Sequence, residues 1–208
     1  MITRIKICGI TRQEDADAVV RAGAQAMGLV FAAASPRRID VDRARVIARQ
    51  VRGAVTRVGL FVDPDPEDVN RVLDAVELDV LQFHGSEPAS FCRGFGLPYM
   101  KAIRMRGPLP LETVEDEFGD ACCLLLDTYV EGKAGGTGEC FDWTLWPQGS
   151  RLPLVLAGGL TPDNVAAAVA RLRPWGVDVS GGVEGDRRGV KDPDRIRRFA
   201  EEVNGARS

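Results

Sequence analysis

Short apolar segments alternate with amphipathic segments along the whole chain. The sequences VGLFV, CLLLD and LVLAGG are apolar almost without interruption. Continuous apolar runs of this length indicate parallel strands buried on both faces, because a half-exposed strand would alternate polar and apolar residues. The pattern predicts eight strands, at residues 4–8, 26–31, 56–62, 80–83, 100–103, 123–127, 154–157 and 177–180.

Segments with helical periodicity follow the strands. They span residues 13–22, 41–51, 67–75, 89–95, 111–118, 162–172 and 192–203. After the sixth strand, the sequence FDWTLWPQG leaves room for only a turn or two of helix. Two helix starts carry capping signals, because Thr11 lies three residues before Glu14, as in a capping box, and Thr161 precedes Pro162.

Eight strand–helix units without a linker or a change in composition predict one α/β domain over residues 1–208, folded as a closed (β/α)₈ TIM barrel. The alternative is an open, doubly wound sheet. That fold usually carries a GxGxxG turn after its first strand, and the sequence CGITRQ does not supply one. The barrel is therefore favoured, and its chemistry is expected on the loops that follow the C-terminal ends of the strands.

Charge and composition argue against several classes of function. The net charge is −3, whereas a general nucleic-acid-binding protein would need a basic face. The five cysteines have no zinc-binding spacing, and no apolar run approaches the length of a membrane span. The only histidine is His84, which disfavours hydrolases that use Ser-His-Asp or Cys-His groups. We therefore expect a cytoplasmic protein that binds neither nucleic acid nor membranes.

Two reactive side chains end predicted strands, Cys8 at the first and Asp127 at the sixth. A thiol can act as a base only as thiolate, and a free cysteine is more commonly a small buried hydrophobe. Asp127 ends an apolar run and either performs chemistry or caps the following turn. Lys6 shares the facing of Cys8 but lies one layer deeper, so we expect it to pair with an acid such as Asp178 and not to assist the thiol.

Glycines follow the last two strands, in AGGLTPDNV and VDVSGGVE. Each pair either permits a tight turn or lets backbone N–H groups approach an anion at a helix start. In barrels these two loops form the habitual phosphate site, so their occurrence on adjacent strands favours phosphate binding. The residues concerned are Gly158, Gly159, Ser180, Gly181 and Gly182.

Arg37 and His84 have two interpretations each. Arg37, in SPRRI, has a guanidinium group suited to bidentate binding of a substrate carboxylate, although surface arginines are commoner. His84, in QFHG, is either a hydrogen-bonded structural imidazole or a ligand contact. The glycine-rich residues 130–143 predict a loop that closes over a bound substrate.

Taken in order, KICGIT, SPRRI, QFHG, LLLDT, GGTG, FDW, GGLTPDNV and VDVSGGVE resemble the motifs of the phosphoribosylanthranilate isomerase family of tryptophan biosynthesis. The resemblance covers almost the whole chain and implies a barrel of the ribulose-phosphate-binding type. It implies an Amadori rearrangement of N-(5-phosphoribosyl)anthranilate to 1-(2-carboxyphenylamino)-1-deoxyribulose 5-phosphate, with no metal and no cofactor. The expected partner is this small phosphosugar, and we expect a monomer or a homodimer.

The resemblance also assigns roles to residues. It implies that Cys8 is the general base, that Asp127 is the general acid and that Arg37 contacts the anthranilate carboxylate. It assigns the phosphate to the glycines of the last two strand ends. This chemistry requires a carboxyl group that burial keeps protonated and a thiol whose pKa is lowered by its surroundings. Two positions depart from the family, because Gly181 replaces a common serine and Phe83 replaces the usual leucine.

Three other functions remain alternatives. A pentose-phosphate epimerase would need metal ligands, histidines above all, and this chain has one histidine. An indole-3-glycerol-phosphate synthase relies on a lysine as acid, and only Lys6 and Lys101 fall on strands. A phosphosugar-binding sensor would have no need of both Cys8 and Asp127.

Overall fold

The computed structural model describes residues 2–128 and 143–206. Eight parallel strands close into a barrel in chain order, which confirms the predicted TIM barrel and excludes the open sheet. The strands are β1 (Arg4–Cys8), β2 (Ala26–Val30), β3 (Thr56–Phe61), β4 (Val80–Phe83), β5 (Tyr99–Met105), β6 (Cys123–Thr128), β7 (Leu154–Ala157) and β8 (Gly176–Val179). The helices of the described residues are α1 (Gln13–Arg21), α2 (Val41–Gln50), α3 (Pro66–Ala75), α4 (Ala89–Cys92), α5 (Leu111–Glu117), α6 (Val165–Leu172) and α7 (Pro193–Gly205).

The strands are buried on both faces, which explains their uninterrupted apolar sequences. One layer of side chains, including Ile5, Leu81 and Leu124, packs between the strands and the helices. The alternate side chains fill the barrel interior with a smaller apolar cluster of Val58, Met100, Ala102, Cys123, Leu125, Val155 and Ala157. Polar side chains in the interior are therefore exceptions that need partners.

Neither predicted capping residue directly precedes its helix in the structure. Thr11 does not cap α1, because its hydroxyl donates to the carbonyl of Gly189 at 2.6 Å. The predicted helix over residues 162–172 begins later, at Val165. Thr161 belongs to a separate turn, in which its N–H donates to Asn164 Oδ1 at 2.8 Å and its hydroxyl accepts from the backbone of Asp163. The Thr11 hydroxyl is therefore engaged elsewhere, whereas the Thr161 hydroxyl makes a capping-type bond to the turn that precedes α6.

Polar contacts join β1 and the loop after it to β8 and the loop after it, and we call this line of contacts the seam. The predicted pair of Lys6 and Asp178 is confirmed, with Nζ 2.9 Å from Oδ1. The Ser180 hydroxyl donates to the carbonyl of Cys8 at 2.9 Å, and the Thr11 bond described above lies farther along the same line. The seam therefore joins residues that are more than 170 positions apart in the sequence.

A buried ion pair fixes the loops after β3 and β4. Lys101, on β5, places Nζ 2.7 Å from Glu87 Oε2 and also donates to the carbonyl of Gly85. Glu87 accepts from the backbone N–H groups of Asp63 and Gly85. Because one lysine and one glutamate hold both loops, the backbone next to His84 is firmly positioned.

Candidate active site

A cavity of about 490 Å³ opens at the C-terminal ends of the strands. All nine residues singled out from the sequence line it, although they come from six different strand ends. They are Cys8, Arg37, His84, Asp127, Gly158, Gly159, Ser180, Gly181 and Gly182. The predicted closing loop, residues 130–143, lies outside the described residues except for its last position.

Cys8 lines the floor of the cavity and is only 5% exposed. Its neighbour across the β1–β2 ladder is Gly28. A Cβ atom at position 28 would lie 2.7 Å from the Cys8 sulfur, so this glycine makes the room that the thiol occupies. The sulfur is therefore tightly surrounded on the strand side and reaches the cavity on the other.

The predicted lowering of the Cys8 pKa is wrong for the unliganded protein. Burial raises the pKa of the Cys8 thiol, and the negative charge of Asp178 acts in the same direction. The positive charges of Lys6 and Lys191 oppose this rise. The expectation that Lys6 cannot help the thiol is therefore also wrong, because a lysine one layer deeper still acts across the short distance through the barrel interior.

Lys6 and Asp178 form a buried ion pair beneath the sulfur, with side chains 6% and 8% exposed. Burial alone would lower the pKa of Lys6, but the charges of Asp178 and Cys8 raise it, so the ammonium group stays charged. Asp178 also lines the cavity, which brings a carboxylate to its floor beside the thiol. The pair thus stabilises the barrel interior and places two charges that act on the Cys8 thiol.

Replacing Lys6 by methionine is expected to lower the free energy of unfolding by about 3–5 kcal/mol, because Asp178 would remain buried without its partner. Urea denaturation followed by circular dichroism measures this change. The double variant Lys6→Met/Asp178→Leu should recover most of the loss, since a buried ion pair can be replaced by apolar groups at little cost. Arg71→Met is the control, because its pair with Asp68 is exposed and its loss should cost no more than about 1 kcal/mol. Equal losses for both single variants would contradict the interpretation.

Asp127, at the end of β6, is hydrogen-bonded to the only histidine. His84 Nε2 lies 3.1 Å from Asp127 Oδ2, and His84 Nδ1 lies 3.0 Å from Gln82 Nε2. The side chain of Asp127 is 30% exposed, so burial encloses the carboxyl group less than the sequence led us to expect. The ring nitrogens of His84 have protein partners, as the structural interpretation predicts. Its side chain also lines the cavity, and a ligand contact stays a prediction.

Arg37 enters the cavity as one half of a bidentate ion pair with Glu184. Its Nε and Nη2 atoms donate to the two carboxylate oxygens at 2.6 and 2.9 Å. Lys191 Nζ, which is fully buried, also contacts Glu184 at 3.1 Å and donates to the carbonyl of Ser180. Burial on its own would raise the pKa of Glu184, but the bonds from Arg37 and Lys191 lower it. The group therefore stays ionised, and the three side chains leave one net positive charge beside the last strand.

Sequence reasoning missed Glu184 and Lys191. Glu184 ends the VDVSGGVE motif, but no local pattern shows that Arg37, 147 positions away, is its partner. Lys191 lies in a loop, where periodicity gives no information about burial. The family departure at Gly181 has a local consequence, because a Cβ atom there would lie 3.1 Å from Arg37 Nη2. Glycine thus leaves the guanidinium group more room than a serine would.

The loops after β7 and β8 both require glycine. Gly158 and Gly159 have φ angles of 86° and 64°, in the left-handed region that side chains disfavour. Gly182 approaches the other loop so closely that a Cβ atom would lie 1.9 Å from the carbonyl oxygen of Leu160. The two loops therefore pack backbone against backbone along one side of the cavity.

Residues 2–128 and 143–206 contain no group of three or more His, Cys, Asp or Glu side chains that could hold a metal ion. None of their helices is both long enough and apolar enough to cross a membrane.

The family model of N-(5'phosphoribosyl)anthranilate (PRA) isomerase matches residues 5–202. The chain belongs to this family. The resemblance inferred from the ordered motifs is therefore confirmed. A protein of Pseudomonas fluorescens named N-(5'-phosphoribosyl)anthranilate isomerase is 55% identical over 200 residues, which cover 96% of this chain and 95% of that protein.

Solved structures of this family have the same fold. The phosphoribosyl anthranilate isomerase of Thermotoga maritima is 39% identical, with a TM-score of 0.89 over 98% of this chain and 100% of the other. A second structure, 38% identical with a TM-score of 0.85, covers the same shares of the two chains. It holds the isomerase in complex with reduced 1-(o-carboxyphenylamino)-1-deoxyribulose 5-phosphate.

Proposed function

We propose that this chain is a phosphoribosylanthranilate isomerase that converts N-(5'-phosphoribosyl)anthranilate to 1-(2-carboxyphenylamino)-1-deoxyribulose 5-phosphate. One observation carries the proposal: in a member of this family, a thiol, a carboxyl group, an arginine and two glycine loops line a single cavity. A relative crystallised with a reduced form of the product supports the choice of ligand.

The cavity offers an anchor for each charged end of the substrate. We assign the phosphate to the backbone of Gly158, Gly159 and the loop that starts at Ser180, where glycine allows close approach. Arg37 is assigned to the anthranilate carboxylate, because its guanidinium group lines the cavity and is suited to bidentate binding of a carboxylate. An acidic protein thereby concentrates positive potential where a doubly anionic ligand enters.

Asp127 and Cys8 then carry out two proton transfers. Asp127 donates a proton to the ribose ring oxygen, and the C1′–O bond breaks as the nitrogen lone pair forms a protonated Schiff base. Cys8, as thiolate, removes the proton from C2′, and the C–H electron pair moves toward the iminium nitrogen to give an enolamine. Tautomerisation of the enolamine gives the ketone. The carboxyl group and the thiol come from different strands, so they can act on different atoms of one sugar.

The raised pKa of Cys8 is compatible with this role. A thiolate from a weaker acid is a stronger base, and the iminium cation of the intermediate adds a positive charge near the sulfur. Together with Lys6 and Lys191, that charge stabilises the thiolate when it is needed. The ligand thus takes part in activating the base.

The lysines argue against the indole-3-glycerol-phosphate synthase alternative. Lys6 is engaged by Asp178 in the barrel interior, and Lys101 is engaged by Glu87 beside the β3 and β4 loops. Neither lysine lines the cavity. The decisive assay follows the loss of anthranilate–sugar fluorescence with purified protein and no added metal. Tight binding of the substrate without turnover would instead favour the sensor alternative.

Arg37→Ala is expected to raise KM about 10–100-fold with a much smaller effect on kcat, because a charge-assisted bidentate contact to a remote part of the substrate is lost. Initial rates over a range of substrate concentration measure both constants. Arg38→Ala is the matched control, since this neighbouring arginine is exposed and does not line the cavity. An unchanged KM for Arg37→Ala would place the carboxylate elsewhere.

We also propose that the enzyme acts in the cytoplasm as a monomer or a homodimer. The five cysteines are odd in number and have no zinc-binding spacing, which fits a reducing compartment. Sedimentation velocity of the purified chain distinguishes the two assembly states, and a larger assembly would contradict the proposal.

A further inference from the structure

Gln82 is a buried polar side chain that the proposed reaction does not use. It lies on β4 with its side chain in the barrel interior and is fully buried. Its Nε2 atom is 3.0 Å from His84 Nδ1. Among the residues that the structure describes, its Oε1 atom is the one buried side-chain nitrogen or oxygen without a hydrogen-bond partner. Burying an amide oxygen without a hydrogen bond costs free energy that an apolar residue at this position would not, so the presence of a glutamine needs an explanation.

The hydrogen bond from Gln82 determines where the imidazole carries its proton. In a neutral histidine one ring nitrogen donates and the other accepts. Because the Gln82 amide N–H donates to Nδ1, Nδ1 must be the acceptor and the proton must be on Nε2. Nε2 is the nitrogen that lies 3.1 Å from Asp127 Oδ2, so His84 donates to that oxygen.

This direction has a consequence for the acid form of Asp127. A carboxylic acid has a single proton, and Oδ2 already accepts a hydrogen bond from His84. The acid proton must therefore be on Oδ1. In the opposite tautomer Nε2 would accept, and the acid proton would lie on Oδ2, between the carboxyl group and the ring. A proton held there could not be donated to a ligand in the cavity.

We propose that Gln82 is a positioning residue that fixes the tautomer of His84 and thereby keeps the acidic proton of Asp127 on Oδ1. The statement about catalysis rests on the proposed function, because it takes Asp127 as the acid. The statement about the tautomer does not depend on it.

Other charged groups face this hydrogen-bonded chain and bear on its pH dependence. Asp178 of β8 acts electrostatically on both His84 and Asp127, and Lys6 of β1 pairs with it at 2.9 Å. Arg104 of β5 is the register neighbour of Asp127, and Cys8 lies across the same cavity. The pairing of Lys6 with Asp178 leaves the interior below the imidazole without net charge.

The chain offers a direct spectroscopic test, because His84 is its only histidine. In protein labelled with ¹⁵N-histidine, two-bond ¹H–¹⁵N correlation spectra show a single imidazole and distinguish the protonated nitrogen. We expect the Nε2–H tautomer in the parent protein. Gln82→Met fills similar space without a donor, and it should move the spectrum toward a mixture of tautomers. Gln25→Met makes the same chemical change at the other end of the barrel, where Gln25 binds the Ile5 N–H, and should leave the histidine spectrum unchanged.

Kinetics test the catalytic part. Gln82→Met should lower kcat at least about tenfold with little change in KM. An Nδ1–H tautomer in the parent protein would overturn the proposal, as would a Gln82→Met variant with unchanged tautomer and kcat. If the parent protein had the expected tautomer but no isomerase activity, the proposed function would fail while the tautomer assignment stood.

Discussion

Replacing Cys8 by alanine is expected to lower kcat about 10²–10⁴-fold, the range that a general base contributes, while the barrel stays folded. The thiol is the group on the cavity floor that we assign to the C2′ proton, and its truncation removes one buried sulfur next to Gly28. Steady-state turnover, with circular dichroism to check the fold, measures the effect. A variant that turned over near the parent rate would show that another group removes the proton.

Cys92→Ala is the matched control for Cys8. Cys92 is also a buried free thiol, but it lies outside the cavity, with its sulfur directed at the carbonyl of Glu87. Its replacement should leave kcat within about twofold, because it alters packing only. Loss of turnover in both variants would point to damage of the fold and not to a lost base.

The raised pKa of Cys8 leads to a prediction about how kcat/KM depends on pH. Because burial raises the pKa of Cys8, the free enzyme holds mostly thiol at neutral pH, and kcat/KM should rise as the pH increases into the alkaline range. Alkylation of Cys8 by iodoacetamide should accelerate over the same range, since only the thiolate reacts. The parent and Cys8→Ala proteins provide the comparison, and a rate of alkylation at this site that is independent of pH would contradict the assignment.

Asp127→Asn is expected to lower kcat about 10²–10⁴-fold as well, because an amide has no acidic proton to give to the ring oxygen. The substitution preserves shape, and the amide oxygen can still accept from His84 Nε2–H as Oδ2 does. KM should change little, since the phosphate and carboxylate anchors are untouched. Rapid-quench or steady-state assays determine the rate.

Asp42→Asn is the control for the loss of a carboxylate. Asp42 lies on α2 in an exposed pair with Arg45, far from the cavity lining. Its replacement should alter neither kcat nor KM measurably. If Asp127→Asn behaved like Asp42→Asn, the proton for ring opening would have to come from another group, and Asp178 would be the next candidate on the cavity floor.

The strands were predictable because burial on both faces gives each strand an uninterrupted run of apolar residues in the sequence. The bounds of β1, β4 and β7 agree with the predicted ones, and β2 is one residue shorter than predicted. The helix starts were not predictable in the same way, because the Thr11 hydroxyl binds the distant carbonyl of Gly189 and α6 begins only after the turn that Thr161 caps. Local patterns predict an element reliably when burial along the whole segment determines its bounds. They fail when a single hydrogen bond determines where a helix begins.

The site shows the same division. Cys8, Asp127 and the glycine loops could be found because a barrel brings all strand ends to one rim. The residues that hold the site side chains in place could not be found from the sequence. Glu184 contacts Arg37 across 147 positions, and Gln82 looks like any polar residue in a strand. The direction of the shift in the Cys8 pKa was also predicted wrongly, because it depends on the balance between burial and nearby charges in three dimensions.

The seam between the first and last strands has a consequence for biosynthesis. A growing polypeptide carries Cys8 from its earliest moments, but Asp178, Ser180 and Lys191 emerge from the ribosome only near the end. Until then the sulfur lacks the ammonium group of Lys191, and Lys6 lacks its partner Asp178. Premature termination before the eighth strand therefore yields a product that contains the nucleophilic atom yet lacks the surroundings that make it useful.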